Sequence, residues 1–236
     1  MCVGYNYIEF LTEKGDVKMI DLGNVMILGD SYSTFAGYIA EGCGYWYSET
    51  AYPENGVRSV SDTWWHKLMA MVSGELILNS SWTGTTVCHT GWGAEDCSHK
   101  SFVARFDKLI EEGYFEKNRV DTLFIFGGTN DSWAGSPIGE IRVSDFTKDS
   151  LYSFAPAVSY LIMRAKEALP TTRIIYIVNA GLKDEVNEAV RLSAEHWGCE
   201  VIYLSMMDRN QNHPTAKGMT EIARDIYNYL DLTEKK

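Results

Sequence analysis

Five short runs of almost unbroken apolar residues punctuate the chain: NVMILG (24–29), ELILN (75–79), DTLFIFG (121–127), RIIYIV (173–178) and EVIYLS (200–205). Continuous apolar character, without alternation, marks strands covered on both faces. Between the runs, apolar residues recur at helical spacing. Phe102, Phe106, Leu109 and Ile110 share one face, as do Val158, Leu161, Ile162, Ala165 and Leu169. Met219, Ile222, Ala223, Ile226, Tyr227 and Leu230 form a third stripe, three turns long. Pro156 falls near the start of its helix, where a missing N–H costs little. Strand alternating with helix predicts an α/β fold with right-handed crossovers. That is a doubly wound three-layer α/β/α sandwich on a parallel sheet of about five strands. A chain of 236 residues suits one such domain, 1–236. YNYIEF, within residues 1–22, reads as an extra edge strand or an N-terminal extension.

Three long irregular segments, 32–62, 80–98 and 129–147, each follow the carboxyl end of an expected strand. Ligands bind at that end of open parallel sheets, and loops of this length are usually functional. The first strand delivers Gly29-Asp30-Ser31 to this rim, and the second delivers NSSWTG with Asn79 and Gly84. GGTND follows the third strand and carries Asn130 and Asp131; DRNQNHP follows the fifth and carries Asp208, Asn210 and His213. A hydroxyl, a glycine amide, a carboxamide and an imidazole on one rim make up the parts of an acyl-transfer site. A serine hydroxyl attacks only when a base takes its proton, and histidine titrates in the right range. The tetrahedral intermediate needs pre-aimed donors, and a glycine backbone lets a ligand come close.

These four blocks, in this order and spanning residues 29 to 214, resemble the SGNH (GDSL-type) hydrolase family. The resemblance implies a flavodoxin-like sandwich, no metal or organic cofactor, and ester hydrolysis through a serine acyl-enzyme. By it Ser31 is the nucleophile, His213 the base, and Gly84 and Asn130 join the Ser31 N–H as the oxyanion hole. One position departs from the family pattern: the Asp usual three residues before the histidine is here Asn210. Three readings follow. Asp208 supplies the acid instead, Asn210 or a main-chain carbonyl orients His213, or activity is reduced. The expected function is a serine esterase removing short acyl groups, acetyl first, from a carbohydrate. A lipase, lysophospholipase or thioesterase is the alternative on the same fold, and a non-catalytic glycan-binding domain the alternative of another class.

Composition narrows the partners. A formal net charge of −11 argues against nucleic acid or an anionic membrane surface. No run approaches the length of a membrane span, and the first residues lack the basic-then-apolar pattern of a signal peptide, so the expected compartment is the cytoplasm. The five cysteines read as free thiols, Cys88 and Cys97 pairing only if the protein is exported. Cys88-His89 and Cys97-Ser98-His99 fit no zinc spacing, so no metal is expected. Aromatic residues crowd the rim loops: Tyr45, Trp46, Tyr47 and Tyr52, then Trp82 and Trp92, then Trp133. Of these Trp46, Trp82 and Trp133 are the candidate substrate-binding residues, as stacking faces for a sugar.

Overall fold

Every expected strand forms, and all five join one parallel sheet. A computed structural model describes residues 19–235, so YNYIEF lies outside the described residues. The strands are β1 (Asp21–Gly29), β2 (Ser73–Ser81), β3 (Thr122–Phe126), β4 (Arg173–Val178) and β5 (Glu200–Tyr203). Their order is β2-β1-β3-β4-β5, the flavodoxin-like arrangement, with β1 and β3 adjacent at the point where the winding reverses. β1 begins three residues earlier than its apolar run, with a register shift against β2 between Asp21 and Asn24. β5 stops two residues sooner, because Leu204 pairs only through its N–H to the Val178 carbonyl.

Among the described residues seven α-helices complete the layers: α1 (Trp64–Met69), α2 (Phe102–Glu111), α3 (Tyr114–Lys117), α4 (Thr129–Ala134), α5 (Phe154–Ala168), α6 (Asp184–Trp197) and α7 (Ala216–Glu234). The period-two alternation of strand side chains decides which helix covers which face. Met26, Leu28, Leu123, Ile125, Ile174 and Tyr176 point to one side, against Phe102 and Phe106 of α2, Val158 and Ile162 of α5, and Val190 of α6. Val25, Ile27, Phe124, Phe126, Ile175 and Ile177 point to the other, against Trp64 and Leu68 of α1 and Met219, Ile222 and Ile226 of α7. Pro156 is the third residue of α5, inside the first turn, as its missing N–H requires.

A small hairpin lies between β5 and α7: β6 (Arg209–Asn210) pairs antiparallel with β7 (His213–Pro214), setting Asn210 opposite His213. Its two loop residues, Gln211 (φ 48°) and Asn212 (φ 62°), are both left-handed, which is the geometry of a tight two-residue turn. None of the helices among the described residues is long and apolar enough to cross a membrane.

Candidate active site

At the end of β1 the chain turns through a short 3-10 segment, Ser31–Ser33, capped by the Asp30 carboxylate, which accepts from the Tyr32 N–H at 3.0 Å. A side chain at Gly29 would collide with its surroundings, since a Cβ there would stand 2.6 Å from Ser81 Oγ and 2.8 Å from Ser33. Glycine is what lets β1 turn this tightly against β2. The turn is then fixed from α1, a helix whose adjacent tryptophans do more than fill the core. Trp64 Nε1 donates to Ser33 Oγ at 3.1 Å and Trp65 Nε1 to the Ser33 carbonyl at 3.0 Å.

The result is that Ser31, 5% exposed, meets His213 across 182 residues of sequence: Oγ to Nε2 is 2.9 Å. The other ring nitrogen, Nδ1, lies 3.0 Å from the main-chain carbonyl of Gln211. A carbonyl only accepts, so Nδ1 carries the proton and Nε2 presents its lone pair to the serine hydroxyl. Neither side chain offered by the sequence, Asp208 or Asn210, occupies this place. The Asp208 carboxylate faces α7 instead, accepting from Thr215 Oγ1 at the cap of that helix. Asn210 makes no side-chain bond to the ring among the described residues; it pairs with His213 through the hairpin backbone. Of the three readings, the main-chain carbonyl is the one the geometry provides, because the left-handed turn brings residue 211 back over the ring two residues later.

Two buried tyrosines grip the hairpin on either side of the histidine. Tyr32 Oη donates to the Asn212 carbonyl at 2.6 Å and Tyr47 Oη to the Pro214 carbonyl at 2.8 Å. Burial pulls the His213 pKa below its ordinary 6.5; the Gln211 carbonyl pushes it up, and the nearby Arg209 guanidinium pushes it down.

Gly84 and Asn130 come to the same corner. Asn130, in α4, donates from Nδ2 to the Thr85 carbonyl at 3.0 Å and more loosely to Asp30 Oδ2 at 3.4 Å. It thus ties the residue before Ser31 to the residue after Gly84. Gly84 itself has φ +71°, with nothing within 4 Å of where a Cβ would stand. Its N–H and that of Ser31 make no hydrogen bond among the described residues. Trp92 Nε1 donates to Asn130 Oδ1 at 3.3 Å, so the carboxamide's oxygen is held away and its NH2 end turned toward Thr85 and Asp30.

The aromatic expectations fare unequally. Trp46 has neither face free for a sugar: one lies 3.7 Å from the His213 ring and the other 3.9 Å from Tyr52, both nearly parallel. Its place as a stacking platform is corrected accordingly. Trp133 is half-buried, edge-on to Tyr32 at 6.3 Å, and Trp82 is half-buried beside Gly44. Trp92, which was not among the three, is 47% exposed on the rim.

Sequence reasoning also passed over Arg105. Sitting in α2 and buried, it donates to the carbonyls of Ser80, Gly29 (3.0 Å) and Lys100 (3.1 Å) and to Thr85 Oγ1 (3.1 Å). It therefore clamps the ends of β1 and β2 and the turn bearing Gly84. An arginine on the apolar face of a helix was the available signal. Burial lowers its pKa to about 10. Cys88-His89 and Cys97 serve the loop interior: both thiols are free and buried, and His89 Nδ1 pairs with Ser101 Oγ at 2.9 Å.

Comparison with known proteins supplies the family. Residues 23–230 match the family model described as GDSL-like lipase/acylhydrolase. A Bacteroides ovatus protein described as a GDSL-like lipase is 39% identical, with a TM-score of 0.84 over 90% of this chain and 99% of its own. A second, from Bacteroides uniformis, is 37% identical, with a TM-score of 0.82 over 89% and 96%. An acetyl xylan esterase from the rumen bacterium Butyrivibrio proteoclasticus shares the fold at 15% identity, with a TM-score of 0.59 over 92% of this chain and 65% of its own. No curated protein matches the sequence. With its four blocks gathered at one corner of the sheet, the chain belongs to the GDSL-like lipase/acylhydrolase family and is an ester hydrolase.

Proposed function

We propose that the protein removes short acyl groups, acetyl above all, from a carbohydrate, through an acyl-enzyme on Ser31. The observation that carries this reading is the 2.9 Å contact between Ser31 Oγ and the unprotonated Nε2 of His213. In the first half-reaction Nε2 takes the hydroxyl proton as Oγ bonds to the ester carbon. The tetrahedral intermediate then expels the sugar oxygen, which leaves with that proton. In the second half-reaction His213 deprotonates water, which attacks the acyl carbon and frees Ser31 and the carboxylic acid.

The carbonyl oxygen becomes negative in both halves. Its donors are the unused N–H groups of Ser31 and Gly84 and the second Nδ2 hydrogen of Asn130, whose 3.4 Å bond to Asp30 is long enough to be exchanged for a better one. Losing one such donor typically costs about 2.7–4 kcal/mol of transition-state stabilisation.

Support for a sugar comes from Trp92, which puts an exposed aromatic face beside the oxyanion donor it orients. Such a face suits the apolar side of a sugar ring. The acetyl xylan esterase of the same fold adds chemical precedent for acetyl removal from a polysaccharide.

The test compares hydrolysis of p-nitrophenyl acetate, butyrate and octanoate by wild type and Ser31→Ala, and measures acetate release from acetylated xylan. We expect acetate to be the best ester and Ser31→Ala to lose about 10⁴-fold or more in kcat. A preference for octanoate would move the reading to a lipase or thioesterase. Equal rates in both proteins would remove Ser31 from the chemistry, and binding of the glycan without turnover would make this a glycan-binding domain.

A further inference from the structure

Among the described residues no carboxylate bonds to the His213 ring to stabilise the imidazolium that forms when it takes a proton. The Asp208 acid faces Thr215, and the Nδ1 partner is the neutral Gln211 carbonyl. The charge that acts on the ring is unfavourable: Arg209, on β6, is a cation that repels a charged His213. Its guanidinium is anchored on Asn179 Oδ1 at 2.7 Å and the Ala180 carbonyl at 3.2 Å. Ser31, Tyr32 and Tyr47 also approach, with the two phenol rings 5.5 and 6.4 Å from the imidazole.

What covers the ring is Trp46. Its indole lies 3.7 Å from the imidazole, centroid to centroid, at an interplanar angle of 6°, and Tyr52 stacks on its far side at 3.9 Å and 3°. The three-ring pile is braced at both ends. Thr34 Oγ1 accepts from the Trp46 N–H at 2.8 Å and donates to the Ser31 carbonyl at 3.0 Å, which ties the indole to the nucleophile turn. Glu54, two residues past Tyr52, accepts from Gln211 Nε2 at 2.7 Å, which ties the pile to the histidine hairpin. Tyr52 itself is held in a left-handed conformation (φ 45°, ψ 58°), uncommon for a bulky residue. Trp46 Nε1 is buried with no partner among the described residues, so the position uses the faces of the ring and gains nothing from its donor.

We propose that Trp46, backed by Tyr52, is a positioning residue that takes over the work of the absent triad acid. Its π face holds the His213 ring in the plane that meets Ser31 and favours the imidazolium that turnover creates. A cation over an aromatic face is attracted to the ring's negative quadrupole, and tryptophan is the strongest partner for it. The inference rests on the Ser31–His213 reading given above.

The experiment titrates His213 by NMR and measures pH–rate profiles for p-nitrophenyl acetate in wild type, Trp46→Leu and Trp46→Phe. Leucine keeps the ring covered but lacks a π face; phenylalanine restores one. In Trp46→Leu we expect the His213 pKa to fall by about half to one unit, kcat to drop about 5- to 30-fold and KM to change little. Phenylalanine should recover most of both losses. In wild type the His213 ring protons should also be shifted upfield by the stacked indole. An unchanged titration in Trp46→Leu would overturn the proposal, as would a Phe variant no better than Leu in both readouts. The titration can be read in Ser31→Ala as well. Retained turnover in that variant would sink the nucleophile, whereas a flat titration would sink the stack, so the two failures are distinguishable.

Discussion

His213 donates its Nδ1 proton, at 3.0 Å, to the carbonyl of Gln211, a residue of its own hairpin turn. The partner that fixes the tautomer is thus main chain, delivered by two successive left-handed residues and not by an acidic side chain. A main-chain acceptor has a kinetic consequence at Asp208.

Asp208→Ala should leave kcat/KM within about threefold of wild type, because the acid touches α7 and not the imidazole. Were Asp208 the triad acid, the loss would approach the order of 10⁴ in kcat. The cost should appear in stability instead. Removing the bond to Thr215 at the helix cap is worth about 0.5–1.5 kcal/mol, a few degrees in Tm for a chain of this size. Steady-state kinetics and thermal melts on one variant decide between the two.

Tyr32→Phe and Tyr47→Phe each release one side of the histidine hairpin, by losing the bonds to the Asn212 and Pro214 carbonyls. Each should cost about 1 kcal/mol of stability, and Tyr47→Phe leaves the buried Pro214 carbonyl unpaired. Because the two bonds flank a single residue, the double variant should lose more activity than the product of the single losses, reaching roughly 10²-fold as His213 drifts from Ser31. A double-mutant cycle on kcat/KM measures the coupling; strictly multiplicative losses would mean that the tyrosines only stabilise the fold.

The sheet and the four blocks were legible in the sequence for a physical reason. Strands buried on both faces must be apolar throughout, and a parallel sheet puts every functional loop at the same edge. Thus Ser31 and His213 meet at one rim although 182 residues separate them. A main-chain carbonyl stands among the readings for the His213 partner, but every residue has one, so no side-chain type could single out Gln211. Trp46 reads as a sugar platform from sequence because an aromatic residue in a rim loop looks the same whether its face meets solvent or a ring. Only the packing of the Trp46–Tyr52 loop onto the histidine hairpin shows both faces covered. Arg105 and Trp92 belong with these, since each acts by holding another residue's backbone or amide.

Trp92→Phe keeps the exposed aromatic face but loses the N–H that holds Asn130 Oδ1. The carboxamide is then freer to rotate, and an oxyanion donor is lost part of the time. For p-nitrophenyl acetate kcat should fall about 10-fold with KM little changed, because the donor matters most in the transition state. Trp92→Ala should repeat that kcat effect and additionally raise KM on an acetylated polysaccharide, if the exposed ring holds the sugar. Equal KM for Phe and Ala variants on the polymer would leave Trp92 with an orienting role alone.

Asp30 carries a pH signature. Burial, with Asp131 nearby, pushes its carboxyl up to about 7 from an ordinary 3.8, against the opposing pull of the Tyr32 N–H and Arg105. Between those two values the native state binds more protons at this site than the unfolded chain does. The contribution is therefore fully present below about 4, and it is lost as pH rises through about 7. Asp30→Asn keeps an acceptor for the Tyr32 N–H but cannot ionise. Relative to this variant, wild-type stability should decline across roughly pH 4 to 7, by at most about 1.4 kcal/mol per pH unit, and then run parallel above it. Urea melts of both proteins at half-unit pH steps give the difference curve. A difference independent of pH would mean that Asp30 titrates alike in the folded and unfolded chains. A difference that grows in the opposite sense, with wild type gaining on the variant as pH rises, would mean that Arg105 holds the carboxylate charged.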